Sequence, residues 1–417
     1  MVDLCSMNEA KLLSLEEALL TLRNQIQSLS AIESVNLSQA FGRILAHSPV
    51  APIPLPQHRN AAMDGYAIAS ADIKGKQPFS LTLAGSSWAG KPFTGTIQTG
   101  QCIRIFTGAL VPEGLDTVVM QEQVKNENGL IHFQPDIRAQ QNVRQPGEDV
   151  ANGEILINAP KKLNAADIGL LASAGIYDIA VKRRLKIAFF STGDELGPIG
   201  QPLAPGKIYD SNRYMLKALL TDEAFSAVDM GVIPDDKALL HNTLVAASEN
   251  HDVIVTTGGA SVGEADFIRE ILQACGQVTF WKLAVKPGKP LAFGTIGQAY
   301  FFGLPGNPVA VTATFQHIVK PALDQLVGAP LVKPLQIKAV CQDNLKKSPG
   351  RQEFMRGILS QTGTGEFRVK SAGRQGSHIL STMSRANCYI VLPALNEGVK
   401  SGDTVTVEPF GTDLTVQ

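Results

Sequence analysis

Soft metal ligands are scarce in this chain of 417 residues. Its five cysteines, Cys5, Cys102, Cys275, Cys341 and Cys388, lie far apart, are odd in number and form no C-x-x-C pair. That spacing excludes a disulfide framework and the common zinc and iron–sulfur arrangements. The histidines are equally dispersed, with no H-E-x-x-H. An excess of either charge is also missing: the formal net charge is -1, so the basic footprint of a nucleic-acid surface is absent and no nucleic acid partner is expected. Every apolar run is broken by charge or glycine before the ~20 residues a membrane span needs, and residues 1–11 lack the basic-then-apolar pattern of an export signal. A cytoplasmic protein without membrane association is the expectation. No G-x-G-x-x-G follows an apolar strand and no G-x-x-x-x-G-K-[ST] occurs, which argues against a dinucleotide site and excludes a P-loop.

The length itself favours two to four domains, since one hydrophobic core seldom serves so many residues. Residues 14–29 predict an amphipathic helix, with Ser14 as N-cap, Glu17 three residues on, and Leu15, Ala18, Leu19, Leu22, Ile26 and Leu29 on one face. From residue 50 to 153 the pattern changes to short apolar runs, such as 102–106 and 117–120, broken by proline and glycine, which reads as a β-rich domain. A helical pattern resumes at 164–173. The two flanking helices are therefore expected to pack together, with the β-rich segment inserted between them. Strand patterns at 186–190, 227–233, 252–256, 279–285, 291–293 and 300–302 then alternate with helical patterns at 212–220, 237–249, 265–275 and 309–327. That alternation is the signature of an α/β domain with a mainly parallel sheet. Beyond residue 330, short strands at 336–340, 368–371, 388–392 and 404–407 form a second β domain. The expected fold class is multidomain, α/β plus β: a connecting helical domain from 1–49 and 154–182, an inserted β domain at 50–153, an α/β/α domain at 183–329 and a C-terminal β-barrel-like domain at 330–417.

Ligands of open parallel sheets bind beyond the carboxyl ends of the strands. The first strand is followed by Ser191, Thr192, Gly193, Asp194 and Glu195; the second by Asp235 and Asp236; the third by Gly258, Gly259, Ser261, Gly263 and Asp266. The fourth leads into Lys286-Pro287-Gly288-Lys289-Pro290 and the last into Leu304-Pro305-Gly306-Asn307-Pro308. Glycines let backbone N–H groups approach phosphate oxygens, and a following helix N-terminus adds partial positive charge. Lys286 and Lys289 suit an oxyanion, and Glu195, Asp235 and Asp266 are hard oxygen ligands for magnesium. Phosphoanhydride cleavage needs that combination. Each feature alone has a plainer reading: a tight connection at the glycines, helix capping by Asp235 and Asp236, a hairpin turn at Lys-Pro-Gly-Lys-Pro. Their gathering at one sheet edge weighs against coincidence. Gly259-Ala260-Ser261-Val262-Gly263 also matches a nucleophile elbow, which makes a serine hydrolase acting through Ser261 an alternative. Against it, the only later histidines are His317, inside a predicted helix, and His378, in another domain.

Seven longer motifs carry a resemblance: Asn60-Ala61-Ala62-Met63-Asp64-Gly65-Tyr66-Ala67, Arg104-Ile105-Phe106-Thr107-Gly108-Ala109, Gly147-Glu148-Asp149, Ser191-Thr192-Gly193-Asp194-Glu195-Leu196, Thr257-Gly258-Gly259-Ala260-Ser261-Val262-Gly263-Glu264, and the two proline-rich loops at 286–290 and 304–308. Together they make the chain similar to the molybdopterin molybdenumtransferases, the bacterial molybdenum insertase family related to the gephyrin E-domain. The resemblance implies a homodimer whose cleft lies between the α/β domain of one subunit and the β domains of the other. It implies transfer of molybdate onto adenylylated molybdopterin, with magnesium-dependent release of AMP. Molybdenum would then be held by the dithiolene of the substrate, which accounts for the missing soft ligands. On this reading residues 257–263, Pro305 and Pro308 hold the adenylate and pyrophosphate, and Ser191, Thr192 and Asp194 orient the pterin side. Glu195, Asp235 and Asp266 are the magnesium ligands. Lys286, Lys289, Arg356 and Ser377 face molybdate, with Arg144 and Lys282 in the same substrate-binding set. Asp64, Asp149 and Thr107 reach the cleft from the inserted domain, the two aspartates orienting water or taking protons. Ala61 and Ala310 stand where members of the family commonly carry serine. A molybdopterin adenylyltransferase would supply the substrate, and apo-molybdoenzymes or their chaperones would receive the product. Two rivals share parts of the pattern: an adenylyltransferase with the same α/β domain, and a non-enzymatic scaffold dimer.

Overall fold

The computed structural model describes the backbone of residues 12–29, 31–258, 266–411 and 415–416, together with their side chains except at 266–269, 280 and 415–416. Its first helix, Leu15–Gln25, begins as the sequence predicts. Ser14 Oγ accepts the Glu17 N–H at 3.1 Å, and the Glu17 carboxylate accepts the Ser14 N–H at 2.8 Å, so two orphan donors of the first turn are satisfied. The helix stops earlier than expected, because Ile26 turns extended at φ -91° and ψ 126°. Ile26 nonetheless stays buried beside Ala18 and Leu22, against Leu323 and Leu326 of the helix Lys320–Val327.

This placement corrects the expected pairing of the two flanking helices. Leu15–Gln25 buries its apolar stripe in the α/β core, whereas Ala165–Ser173 packs Leu171 against Ala40, Leu45, Ile157, Leu163, Ile179 and Val181. Two strands not foreseen in the sequence, Ile32–Asn36 and Asp178–Lys182, supply much of that second surface. They form a four-stranded antiparallel sheet with Ile44–Leu45 and Lys161–Lys162. The chain leaves this sheet at Ile44–Leu45 and returns on the adjacent strand, Lys161–Lys162. Between the two lies a six-stranded sheet in the order Thr117–Met120, Gly65–Ile68, Gln101–Ile105, Phe79–Ser87, Leu130–Phe133, Val124–Glu127.

The central sheet runs Phe225–Ile233, Leu185–Thr192, Val253–Thr257, Ala299–Leu304, Pro290–Ile296, Gly276–Lys282. The first four strands are parallel, Pro290–Ile296 runs opposite to them, and Gly276–Lys282, antiparallel to Pro290–Ile296, runs with the first four. Because Ala292 pairs with Gly303 and Lys282 with Pro290, reversing direction still brings the 283–289 loop to the carboxyl rim of the parallel strands. The expected strand at 279–285 is divided. Gly276–Lys282 stays in the sheet, while Val285–Lys286 pairs in parallel with Gln352–Glu353 of the C-terminal region. The expected helix at 309–327 is also interrupted: Pro308–Thr314 and Lys320–Val327 are separated by a π-helical turn, Phe315–Val319. Pro321 follows that turn and has no N–H to give to the regular ladder.

In the C-terminal region Gln352–Gln361, Phe367–Ser371, Ile337–Cys341, Thr404–Pro409 and Cys388–Leu392 pair in succession, and the last returns to the first. A closed five-stranded barrel results, filled by Cys341, Leu359, Val369, Cys388, Ile390 and Val407. Burial pushes the Cys388 thiol up to about 12, and Cys102 likewise, so these cysteines pack as small apolar groups without thiolate chemistry. No helix among the described residues is long and apolar enough to cross a membrane.

Candidate functional site

The floor of the rim is polar and closed. Ser191 and Thr257 are register partners on adjacent parallel strands, their hydroxyls lie 2.8 Å apart, and Ser191 Oγ donates to Asp210 Oδ1 at 3.1 Å. All three residues are buried. Ser191, expected to orient the pterin side, braces the floor through these two bonds. Asp210 also caps the helix Ser211–Leu219, accepting the Arg213 N–H at 3.1 Å, and so ties the helix start to the strand ends.

Above this floor the chain turns at Gly258, whose φ is +85° and whose absent Cβ would lie 2.5 Å from the Thr192 carbonyl oxygen. Only glycine fits both constraints. Gly258→Ala is expected to destabilise the protein by about 1–3 kcal/mol, seen as a lowered midpoint in thermal unfolding. An unchanged midpoint would mean that Thr192 moves freely.

A cavity of about 70 Å³ opens here, lined by Thr192, Glu195, Tyr209, Asn212, Gly258 and Pro308 among others. It has room for a phosphate-sized group. Asn212 was missed in the sequence reading. Its amide Nδ2 donates to Gly306 O at 2.7 Å, which fixes the 305–308 loop, and its buried Oδ1 has no partner among the described residues. A buried acceptor without a donor is costly and suits a ligand N–H or O–H. Asp210-Ser211-Asn212 reads in sequence only as a helix start, so the cavity-facing amide had no distinctive signal. Pro305 is buried, and Pro308 opens the helix Pro308–Thr314.

The acidic loops separate cleanly. Asp236 is the N-cap of Lys237–Asn250, accepting the Leu239 N–H at 2.7 Å. Asp235 instead clasps the neighbouring loop: its N–H donates to Asp194 Oδ1 at 3.1 Å, and the Asp194 N–H donates to Asp235 Oδ2 at 3.3 Å. Glu195 lies beside Gly193, where a Cβ would meet its carboxylate at 2.3 Å. The donors are hard oxygens of the type magnesium takes, usually through one or two carboxylates plus substrate phosphates. No group of three such ligands occurs among the described residues. Asp266 starts the helix Asp266–Cys275, but its side chain, with Gly259 and Ser261, lies outside the described residues.

The C-terminal barrel forms a wall of the same rim, within one chain. Lys286 reaches both carboxylate oxygens of Glu353 at 3.1 and 3.2 Å, and the Val309 N–H donates to the Ser377 carbonyl at 3.1 Å. The barrel packs against its own α/β domain, and Lys286, expected to face an oxyanion, is paired with the buried Glu353. Lys282 and Lys289 are exposed. Arg356 is only 1% exposed, and its guanidinium donates to the carbonyls of Arg374, Gln375 and Gly376 at 3.0–3.1 Å and to Thr382 Oγ1 at 3.2 Å. Arg356, expected to face molybdate, here holds the loop that carries Ser377.

The inserted domain gathers the remaining predicted residues. Asp64 Oδ1 accepts the Thr107 N–H at 2.8 Å and the Thr107 hydroxyl at 2.7 Å, and these bonds hold its carboxyl below the usual range. Arg144 is the register partner of Asn60, and the Asp149 N–H donates to Leu55 O at 2.9 Å; both side chains are exposed. Among the described residues no hydrogen bond or ion pair joins this cluster to the sheet rim.

One of the two histidines open to the hydrolase alternative is taken up in packing. His317 is buried, with Nδ1 against Ala313 O and Nε2 against Glu408 Oε2, both at 2.9 Å. It is a packed, partnered residue far from the role a triad assigns.

Residues 13–175 match a family model described as the MoeA N-terminal region (domain I and II), 188–325 one described as a probable molybdopterin binding domain, and 338–410 the MoeA C-terminal region (domain IV). A molybdopterin molybdenumtransferase of Haemophilus influenzae is 42% identical over 96% of this chain and 99% of its own length. One from a Nostoc species is 36% identical over 92% and 90%. The solved molybdopterin biosynthesis moeA protein of Pyrococcus horikoshii aligns with a TM-score of 0.81 at 31% identity, covering 96% of this chain and 100% of that one.

Proposed function

Since the chain belongs to the molybdopterin molybdenumtransferase family, matching relatives over nearly their whole length, we propose that its substrate is adenylylated molybdopterin. On this reading molybdate is placed on the substrate's dithiolene while water cleaves the phosphoanhydride and AMP leaves. The protein is a transferase of molybdenum cofactor biosynthesis. The observation that carries the finer reading is the convergence at one rim: a glycine turn, a phosphate-sized cavity with an unpartnered amide oxygen, two clasped acidic loops and a lysine-bearing loop.

In this scheme Thr192, Gly258 and the Pro305–Pro308 turn hold the phosphates, Asn212 fixes that turn and offers its Oδ1 to a ligand N–H or O–H, and Asp194 clasps Asp235. Asp235, Glu195 and Asp266 would hold a magnesium ion, which neutralises phosphate charge as the anhydride opens. Lys289, Lys282 and Ser377 offer donors to molybdate from the wall side. The separation of the Asp64, Thr107, Arg144 and Asp149 cluster from the rim supports a homodimer in which a second copy brings that cluster across.

The test mixes purified protein with adenylylated molybdopterin, magnesium and molybdate, and follows AMP release and metal transfer to an apo-molybdoenzyme. Molybdate-dependent AMP release is expected; its absence would overturn the scheme, and adenylylation from ATP would assign the chain to the adenylyltransferase class. Neighbouring aspartates provide an internal contrast. Asp235→Asn should slow turnover about 10- to 100-fold with the fold intact, whereas Asp236→Asn should cost at most a few tenths of a kcal/mol of helix stability and leave turnover unchanged. Equal activities for the two variants would remove Asp235 from the chemistry.

A further inference from the structure

A half-exposed aromatic face stands beside the Asp64 cluster without a role in the scheme above. Trp88 is 49% exposed, yet its ring is fixed from three sides. Its backbone closes a tight turn with Lys91 through bonds of 2.9 and 3.0 Å, its Nε1 donates to Ser86 Oγ at 3.1 Å, and it stacks on Phe106 with centroids 3.7 Å apart and an interplanar angle of 15°. The Arg104 guanidinium lies 4.9 Å from the Phe106 centroid and 5.0 Å from that of Tyr66. Phe106 covers one face of the indole; the remaining face opens to solvent. Rigid, part-open aromatic rings of this kind are costly to leave wetted and serve well as stacking surfaces.

The neighbouring chemistry narrows the occupant. Thr107 follows Phe106 directly, and both of its donors go to one oxygen of the Asp64 carboxylate. The second oxygen has no hydrogen-bond partner among the described residues, and a carboxylate oxygen in that state can accept from a ligand's N–H donors. We propose that Trp88 is the stacking platform for the flat nitrogen heterocycle of the substrate, with Asp64 receiving the donor edge of the ring. A pterin fits best, because its aminopyrimidinone edge presents ring N–H and NH₂ donors together. The adenine ring sets a lone pair beside its amino group, which a carboxylate repels. This assignment rests on the reading of the substrate given above.

The experiment uses full-length protein carrying Trp281→Phe, which leaves Trp88 as the only indole. Its emission is followed during separate titrations with 2-amino-4-oxopteridine and with AMP, without molybdate or magnesium. Saturable quenching by the pterin is expected, together with an approximately 10-fold weaker pterin affinity in Trp88→Ala, read from the pterin's own fluorescence. Trp88→Phe, which keeps a ring, should lose less, and thermal melting checks that each variant is folded. Quenching by AMP and not by the pterin would overturn the pterin assignment; quenching by neither would overturn the platform. AMP release from adenylylated molybdopterin, assayed separately on the same protein preparations with magnesium and molybdate added, separates the two readings. Normal turnover with an unchanged KM in folded Trp88→Ala overturns the platform while the activity stands, whereas pterin quenching in a protein that never releases AMP supports the platform and overturns the activity.

Discussion

Arg356→Ala should destabilise the C-terminal barrel by about 4 kcal/mol, among the larger effects a single substitution produces. The guanidinium is buried, and its removal leaves three backbone carbonyls and the Thr382 hydroxyl without their donor. Each orphaned buried group costs roughly 1–3 kcal/mol, offset where water enters the space. Arg356→Lys should recover less than half of the loss, because one ammonium cannot span donors that fan out over residues 374–376 and 382. Amide exchange along Gln352–Gln361 and across the 374–377 loop is the measurement, since unfolding of a multidomain chain need not be two-state. Exchange rates like those of the native chain in Arg356→Ala would show that the carbonyl bonds add nothing to stability. Kinetics then divide the roles: loss of a supporting residue lowers turnover by displacing Ser377, whereas loss of a direct molybdate contact raises the KM for molybdate alone.

Glu408→Gln should cost about 3 kcal/mol near neutral pH, the usual penalty for removing one partner of a buried pair. Glu408, on the barrel strand Thr404–Pro409, meets His317 from the π-helical turn of the α/β domain at 2.9 Å, and its other oxygen accepts from Gln336 at 2.9 Å. The His317 ring stacks on Phe354 with centroids 3.9 Å apart. Burial pushes the Glu408 carboxyl up, but hydrogen bonds from His317 and Gln336 outweigh burial and hold it below the ordinary range. A depressed folded-state value means that the contribution is present above the unfolded value and is lost as pH falls through the folded one. The stability gap between the native chain and Glu408→Gln should therefore narrow once pH drops below the ordinary glutamate value of about 4.3. Thermal unfolding of both proteins from about pH 7 to about pH 3 tests this. A gap that stays constant over that range would assign the cost to packing rather than to charge.

Much of the central domain was legible because its signals are local. Strand Leu185–Thr192, helix Lys237–Asn250 and the capping box at Ser14 each follow from apolar spacing and a capping side chain within a few residues. Strands Ile32–Asn36 and Gln352–Gln361 escaped notice for the opposite reason. The first is short and largely exposed, and the second mixes glycine and charge while its inward residues are set by barrel closure. At the rim, which residues would assemble was readable from the strand-end loops, but the use of each group was not. Ser191 and Arg356 look like ligand contacts until their hydrogen bonds are traced to Asp210 and to the 374–376 carbonyls. Asp235 and Asp236 are adjacent and chemically alike, and only the bonds to Asp194 and to Leu239 tell the clasp from the cap.

The strands Ile44–Leu45 and Lys161–Lys162 sit side by side, so the polypeptide enters and leaves the inserted sheet through one doorway. A module attached in that way is gained, lost or exchanged in a single genetic event without rethreading the host sheet. The segment holding Asp64 and Trp88 is therefore a cassette whose replacement leaves the strand order of the central sheet untouched.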